Sequence, residues 1–92
     1  MAASYAQTTV TLSAGQAAGT APLIAANRDR RALQLGAAVD FKVALSASAT
    51  DGMRVYASAR DGFEGALCPA GELYLVAGSG LSTGNAVVVW EA

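Results

Sequence analysis

The chain has 92 residues, of which 53% are hydrophobic and 14% are charged, and its formal net charge is -1. A nearly neutral chain has no long-range field that would steer it to nucleic acid or to an anionic membrane, so its net charge does not identify a partner. The sequence also lacks a broad basic face with interleaved aromatic residues, and we expect neither nucleic acid nor a membrane as a partner. Because histidine is absent and Cys68 is the single cysteine, the sequence excludes Ser–His and Cys–His catalysis, a zinc site and a disulfide framework.

At this length we expect one domain over residues 1–92, with residues 1–4 as a flexible arm. The N-terminus lacks the basic and apolar regions of a signal peptide, and no apolar run approaches a membrane span, which predicts synthesis in the cytosol. The low fraction of charged residues predicts that neighbouring molecules cover part of the surface.

The first predicted strand covers residues 5–12, where Val10 and Leu12 alternate with threonine. Residues 13–20 are predicted to be a connector of small residues. A helix over residues 14–18 is the competing interpretation, because alanine favours helices. We reject it, since the connector holds two glycines and no apolar stripe.

The middle of the chain is predicted to form an antiparallel hairpin. Residues 21–26 are typical of a short strand with a proline near its start. Residues 32–35 alternate again, and a short turn leads back into a second strand at residues 39–45. In that strand the expected core face is Val39, Phe41, Val43 and Leu45, and the outer face is Asp40, Lys42 and Ala44.

The second half of the chain continues with short apolar segments between turn signals. Asp51-Gly52 and Asp61-Gly62 indicate turns, and residues 78–84 a flexible loop. The predicted segments are 53–59, with Met53, Val55 and Ala57 on one face, then 63–67, then 72–77, with Leu73 and Leu75 on one face, and finally 85–91. Seven or eight short strands at this spacing predict an all-β fold, a small antiparallel sandwich or barrel.

No constellation of residues predicts catalysis, so we expect no enzyme, no cofactor and no metal. The scattered carboxylates, such as Asp51 and Asp61, are better explained as turn formers, and Cys68 as a structural thiol. A hydrolase stays open only if the fold brings two carboxylates within about 5 to 10 Å of each other. Gly78-Ser-Gly80 lacks the lysine and the helix of a phosphate loop and is predicted to be a hairpin loop.

Several other polar and aromatic side chains receive structural interpretations. Asp40 and Lys42 are expected to be exposed and to pair across strands with Arg54 or another neighbour. Trp90 and Tyr74 are predicted to lie in the core or at a sheet edge rather than to stack on a ligand.

A short polar turn holds the one local concentration of charge. Arg28, Arg30 and Arg31 there fit a clamp for a carboxylate-rich or phosphate-rich partner, since arginine makes bidentate contacts. The alternative is a solvated turn in which one arginine pairs with Asp29 or with a neighbouring strand. Together with Tyr5, beside the expected N-terminal arm, the three arginines form the predicted partner interface.

Three segments of the chain resemble a family of small virion proteins of tailed bacteriophages, of the capsid decoration (cement) type. They are Asn27-Arg-Asp-Arg-Arg-Ala-Leu-Gln-Leu35, Ala70-Gly-Glu-Leu-Tyr-Leu-Val-Ala77 and Ala86-Val-Val-Val-Trp-Glu-Ala92. The resemblance implies a compact β-sandwich without enzymatic activity. The Ala/Gly-rich N-terminal segment lies outside it.

The resemblance implies that the protein is made in the host cytoplasm and is located on the capsid surface of the virion. Its partner would be the major capsid protein of the phage head, and it would act as a homo-oligomer, for instance a trimer. Two alternatives are a tail or spike module that recognises host glycan, which needs exposed aromatic residues beside the 78–84 loop, and an accessory module that joins virion parts.

Overall fold

The computed structural model describes residues 5–57, 60–78 and 80–92. Over these residues the chain forms seven strands and one short α-helix. In chain order the elements are β1 (Ala6–Thr11), α1 (Ala14–Ala17), β2 (Ala32–Ala37), β3 (Phe41–Ala44), β4 (Met53–Val55), β5 (Asp61–Glu64), a 3-10 helix (Gly65–Leu67), β6 (Tyr74–Leu75) and β7 (Ala86–Glu91). The predicted all-β class is therefore confirmed.

The strands form two antiparallel sheets. The larger sheet has the order β1-β7-β2-β5, and the smaller sheet has the order β4-β3-β6. β7 is central to the larger sheet and pairs with β1 on one side and β2 on the other. The β-branched run of this last strand suits such a position, because it is flanked by neighbours on both edges.

The core lies between the two sheets and follows the period-two alternation of the strands. Leu33 and Leu35 of β2 are fully buried, as is Val87 of β7. The smaller sheet adds Phe41 and Val43 from β3. The other members of the core cluster are Leu12, Leu23, Ile24, Val55, Leu73, Leu75, Leu81 and Val89. Leu73 and Leu75, which were predicted to share one face of a strand, are both buried.

The predicted hairpin between residues 32–35 and 39–45 is wrong. β2 belongs to the larger sheet and β3 to the smaller one, so the short link between them carries the chain from one sheet to the other. Both edges of β2 are occupied, by β5 and β7, which leaves no edge for β3. The predicted core residues at the ends of the second strand are accordingly exposed, Val39 by 41% and Leu45 by 68%.

The rejected helix exists, as the single turn α1. The Ser13 hydroxyl accepts a hydrogen bond from the Gln16 amide at 3.2 Å, and the Gln16 side chain accepts one from the Ser13 amide at 2.9 Å. This capping box satisfies two amides that a helix start would leave free, which offsets the weak helix propensity of Gly15. In the described part of the chain, no helix is long and apolar enough to cross a bilayer.

Other predicted boundaries also change. Residues 21–26 contribute one bridge, Ile24 to Leu73, in place of a strand. Asp61-Gly62 lies inside β5 and is not a turn, because β5 pairs with β2 along its whole length. Ala57, which was predicted to share a face of the strand with Val55, is exposed and lies beyond the end of β4. Three parts of the predictions lie outside the described residues, namely the arm at 1–4, positions 58 and 59 of the 53–59 strand, and position 79 of the loop.

Candidate functional site

The predicted arginine cluster divides into one buried and two exposed side chains. The Arg30 side chain is 0% exposed, and its Nε donates to Glu91 Oε2 at 2.7 Å. Its Nη1 donates to the carbonyls of Pro69 at 2.6 Å and Gly71 at 3.3 Å, and its Nη2 donates to the Ala25 carbonyl at 2.6 Å. Arg30 therefore joins separate segments inside the protein, which is the predicted alternative of an arginine paired with a neighbouring strand.

Asn27 completes the network around Arg30 and was not singled out from the sequence. Its Nδ2 donates to Glu91 Oε1 at 3.0 Å, so both oxygens of that carboxylate are engaged. Its Oδ1 accepts from the Asp29 amide at 3.0 Å, which shapes the turn locally. An asparagine two residues before an aspartate is a turn signal that sequence reasoning can detect, but its bond to Glu91 joins residues 64 positions apart.

Arg28 and Arg31 are exposed, so these two arginines are accessible to a partner. The Arg31 amide donates to the Ala92 carbonyl at 2.6 Å, next to β7. Tyr5 directly precedes β1, whose residue Ala6 lies opposite Glu91. Tyr5 and Arg31 thus lie at the same end of the larger sheet. The interface prediction for Tyr5, Arg28 and Arg31 stays a prediction, whereas Arg30 is engaged within the fold.

An aromatic and arginine stack lies on the outer face of the larger sheet. The Arg60 guanidinium carbon lies 4.1 Å from the centre of the Trp90 ring and 5.3 Å from that of the Tyr5 ring. Trp90 Nε1 donates to Gln7 Oε1 at 3.2 Å. A cation over an aromatic ring at an exposed site is stabilised by about 0.5 to 1 kcal/mol. We call this stack of Tyr5, Arg60 and Trp90 the Trp90 face. It brings together three side chains that are far apart in the sequence.

Trp90 lies neither in the core nor at a sheet edge, which corrects that prediction. Val87 and Val89 of the same strand are buried, so Trp90 points to the opposite face of the central strand β7. A Cβ atom on Gly36 would lie 3.2 Å from the Trp90 ring, so the glycine provides room for the indole to lie across β2. Tyr74 is half-buried on the edge strand β6, as predicted.

A groove of about 480 Å³ runs beside Trp90 on the same face. Its walls are mainly apolar and include Val39, Ala57 and Val88. Leu81 and Asn85 close one side, so the groove borders the loop that precedes β7. The outward position of Val39, which the hairpin prediction placed in the core, is part of what makes this groove apolar.

The edge of the larger sheet next to Tyr5 is the strand β1. Its residues are exposed or half-buried, and their sequence AQTTVT contains no charge. β7 covers one side of β1, and no other strand in the described part of the chain pairs with the second side. An edge strand of this kind presents free peptide groups to other chains.

The carboxylates of the smaller sheet are held by basic side chains. Asp51 Oδ1 accepts from Lys42 Nζ at 3.0 Å and from the Gly52 amide at 2.9 Å. The hydrogen bond from Lys42, followed by that from Gly52, lowers the pKa of Asp51 below its usual value. Asp40 forms an ion pair with Arg54 at 4.0 Å, which confirms the expected cross-strand pairing. A lowered pKa suits a permanent anion and not a general acid, which needs a raised one.

Cys68 is half-buried, and burial raises the pKa of its thiol. A thiol that stays protonated at neutral pH is a poor nucleophile. Within residues 5–57, 60–78 and 80–92, no three His, Cys, Asp or Glu side chains lie close enough to hold a metal ion. Across the same ranges, every buried side-chain nitrogen or oxygen has a hydrogen-bond partner.

The described surface thus offers three features through which the chain can act, namely the Trp90 face with its groove, the exposed Arg28 and Arg31, and the free edge of β1. All three are suited to contacts with another molecule. No protein-family model, no curated protein and no solved structure matches this chain.

Proposed function

We propose that the chain is a non-enzymatic structural protein of a tailed-phage virion, made in the host cytoplasm, which binds the outside of the capsid in several copies and stabilises it. The observation that carries the proposal is the Trp90 face, where Tyr5, Arg60 and Trp90 lie together on an exposed sheet. Tyrosine, tryptophan and arginine are the residues most enriched in the energetic centres of protein interfaces.

The way in which such a subunit stabilises a shell follows from mass action. A protein that binds the assembled capsid, but not its separated subunits, shifts the equilibrium towards the assembled state. A copy that contacts two capsid subunits adds buried interface between them, and this interface opposes the outward pressure of packaged DNA. A rigid sandwich with a low fraction of charged residues suits this role, because little order is lost on binding.

The test compares complete virions with virions that lack this chain, under heat and osmotic shock. We expect the virions that lack it to release DNA at a lower temperature, and purified protein added back to restore the difference. If both kinds of virion resist equally well, the proposal is wrong.

A matched pair of variants then locates the binding face. Arg60→Ala removes the cation between Tyr5 and Trp90, whereas Arg54→Ala removes a similar cation, which lies 5.8 Å from the Tyr56 ring on the smaller sheet. Truncation of an arginine at the energetic centre of an interface costs about 2 kcal/mol or more, so we expect at least about tenfold weaker binding to the virion for Arg60→Ala. Arg54→Ala should bind like the wild type. If both variants bind the virion equally well, the Trp90 face is not part of the interface.

A second candidate function, in a tail or spike, is recognition of host glycan. The observation that favours it is that Trp90 shares its groove with Leu81 and Asn85, which places an aromatic ring beside the 78–84 loop. It ranks second because Arg60 covers the ring face on which a sugar would stack. If the protein binds no glycan on an array, this function is excluded. If it binds a glycan and Trp90→Ala abolishes the binding, glycan recognition is supported over capsid decoration.

A further inference from the structure

The edge strands of this fold are not equally protected against pairing with other chains. Proteins protect such edges with charges, prolines, bulges or very short strands. In the described part of the chain, β4 carries Arg54, β5 carries two acidic residues in its sequence and β6 is two residues long. β1 is six residues long, has neither charge nor proline, and pairs one to one with β7 without a bulge. It is the edge without protection.

The hydrogen bonds at the end of β1 show which of its peptide groups point away from β7. The Leu12 amide donates to the Asn85 carbonyl at 2.9 Å, and the Leu12 carbonyl accepts from the Gly84 amide at 2.9 Å, so the backbone of Leu12 points towards β7. Peptide groups in an antiparallel strand alternate between its two neighbours. The backbones of Gln7, Thr9 and Thr11 therefore point away from β7, towards the open side.

We propose that β1 pairs antiparallel with β1 of a second copy, about a two-fold axis through Thr9, so that the two larger sheets become one continuous sheet. In this register Thr9 faces Thr9, and Gln7 faces Thr11 on either side of the axis. All three facing pairs use the outward peptide groups, which gives about six hydrogen bonds between the chains, two for each pair.

The side chains fit this register as well as the backbone does. On the outer face Thr9 meets Thr9 and Gln7 meets Thr11, and threonine pairs across strands are favourable. On the inner face Thr8 meets Val10. No like charges meet along the paired segment, since β1 has no charged residue. The pairing ends where Tyr5 lies opposite Ser13, directly before α1.

A second copy is the occupant that the register favours, because the strand is complementary to itself about Thr9. Such a contact uses the same surface on both partners and closes as a dimer, in contrast to the trimer that the resemblance implies. One pair of strands buries less than the roughly 1,200 Å² of a standard interface, so the free dimer should be weak. Copies held close together on a shell would pair at a high effective concentration. The inference rests on β1 alone and does not depend on the virion proposal.

The test is sedimentation equilibrium of the full chain up to millimolar concentration. We expect a monomer–dimer equilibrium for the wild type. Thr9→Lys and Thr9→Glu each place two like charges on the axis, so each should dimerise at least about tenfold more weakly. An equal mixture of the two variants places lysine opposite glutamate, and its dimer should regain the wild-type strength.

Thr11→Lys is the matched control, because it adds the same charge to the same face of β1. In the proposed register position 11 faces Gln7, and the two lysines lie about 14 Å apart, four residues along the strand. That distance exceeds the roughly 8 to 10 Å over which charges act in physiological salt, so this variant should dimerise like the wild type. A dimer that Thr11→Lys weakens as much as Thr9→Lys would overturn the register.

Amide hydrogen exchange gives a readout that is independent of charge. As concentration rises, exchange at Gln7, Thr9 and Thr11 should slow, while exchange at Val10, which already faces β7, should stay constant. A wild-type chain that is monomeric at millimolar concentration, or a dimer or trimer in which these three amides exchange as in the monomer, would overturn the proposal. The proposal would also be overturned if β1 paired only with an extended segment of another protein.

Discussion

The Nε of Arg30 lies 2.7 Å from the Oε2 of Glu91, and this ion pair ties the turn after residue 26 to the central strand of the larger sheet. The Arg30 side chain is 0% exposed and that of Glu91 is 31% exposed. A buried guanidinium is tolerated only when it is hydrogen-bonded, and here each of its three nitrogens donates, to the Glu91 carboxylate or to one of three carbonyls. Arg30, a charged residue that is buried, therefore holds the fold together at this point.

Replacement of Arg30 should be the most destabilising change among the arginines. Arg30→Met leaves Oε2 of Glu91 and three carbonyls without the arginine donor, while Asn27 still donates to Oε1. Removal of one partner from a buried pair costs about 3 kcal/mol at the low end, which we expect here because the Glu91 side chain is partly exposed. Urea unfolding followed by circular dichroism measures this loss as a lower midpoint. Arg31→Ala is the control, because the Arg31 side chain is exposed, and it should change stability by less than about 0.5 kcal/mol. Equal effects of the two variants would contradict this role of Arg30.

Gly62→Ala should separate β5 from β2. A Cβ atom at Gly62 would overlap the Leu33 carbonyl oxygen, which cannot move without breaking the sheet. Overpacking of this kind costs about 1 to 3 kcal/mol. Gly71→Ala is the matched control, since a Cβ atom there meets nothing within 4 Å. Thermal unfolding measures both variants, and a Gly62→Ala protein as stable as Gly71→Ala would refute the close approach of the two strands.

Ser13→Ala should lower stability by about 1 kcal/mol, the usual cost of losing a helix N-cap. For a domain of this size that corresponds to a fall of about 4 to 8 °C in Tm. The reason is the loss of the hydrogen bond that the Ser13 hydroxyl accepts from the Gln16 amide. Ser46→Ala, in an exposed loop, serves as the control. An unchanged Tm for Ser13→Ala would show that α1 does not depend on its cap.

Asp51 should titrate below its usual value of 3.8, because the Lys42 ammonium donates a hydrogen bond to its carboxylate. A lowered folded-state pKa means that the carboxylate contributes stability above its unfolded pKa and that this contribution is lost as pH falls through the folded value. NMR titration of the Asp51 carboxyl carbon measures the pKa directly. Lys42→Met should raise it, whereas an identical titration in both proteins would exclude the Lys42 contact in solution.

Local patterns in the sequence were sufficient for the fold class and for several strands. The alternation before Leu12 predicted β1, and the β-branched run before Trp90 predicted β7, because a period of two depends on neighbouring residues alone. The partner of a strand is a non-local property. Nothing in the residues between β2 and β3 distinguishes a hairpin turn from a crossing between sheets, so the predicted hairpin failed there.

The candidate site was predictable to a smaller extent. Arg28, Arg30 and Arg31 stand together in the sequence, but the partner that buries one of them, Glu91, is distant along the chain. The Trp90 face left no local signal either, since Arg60 reaches Trp90 only because β5 and β7 flank β2 in the same sheet. The helix α1 was missed for another reason. Its capping box at Ser13 and Gln16 was visible in the sequence, but the two glycines of the connector and the lack of an apolar stripe argued against a helix.

We propose that this chain is a capsid-binding subunit that acts through the Trp90 face, and an electron cryomicroscopy reconstruction of virions purified from cells that produce the chain tests this proposal. We expect density for the two-sheet fold on the outer surface of the capsid shell, with Tyr5, Arg60 and Trp90 turned towards the major capsid protein. Virions without such density, or with the chain confined to the tail or to the capsid interior, would refute the proposal.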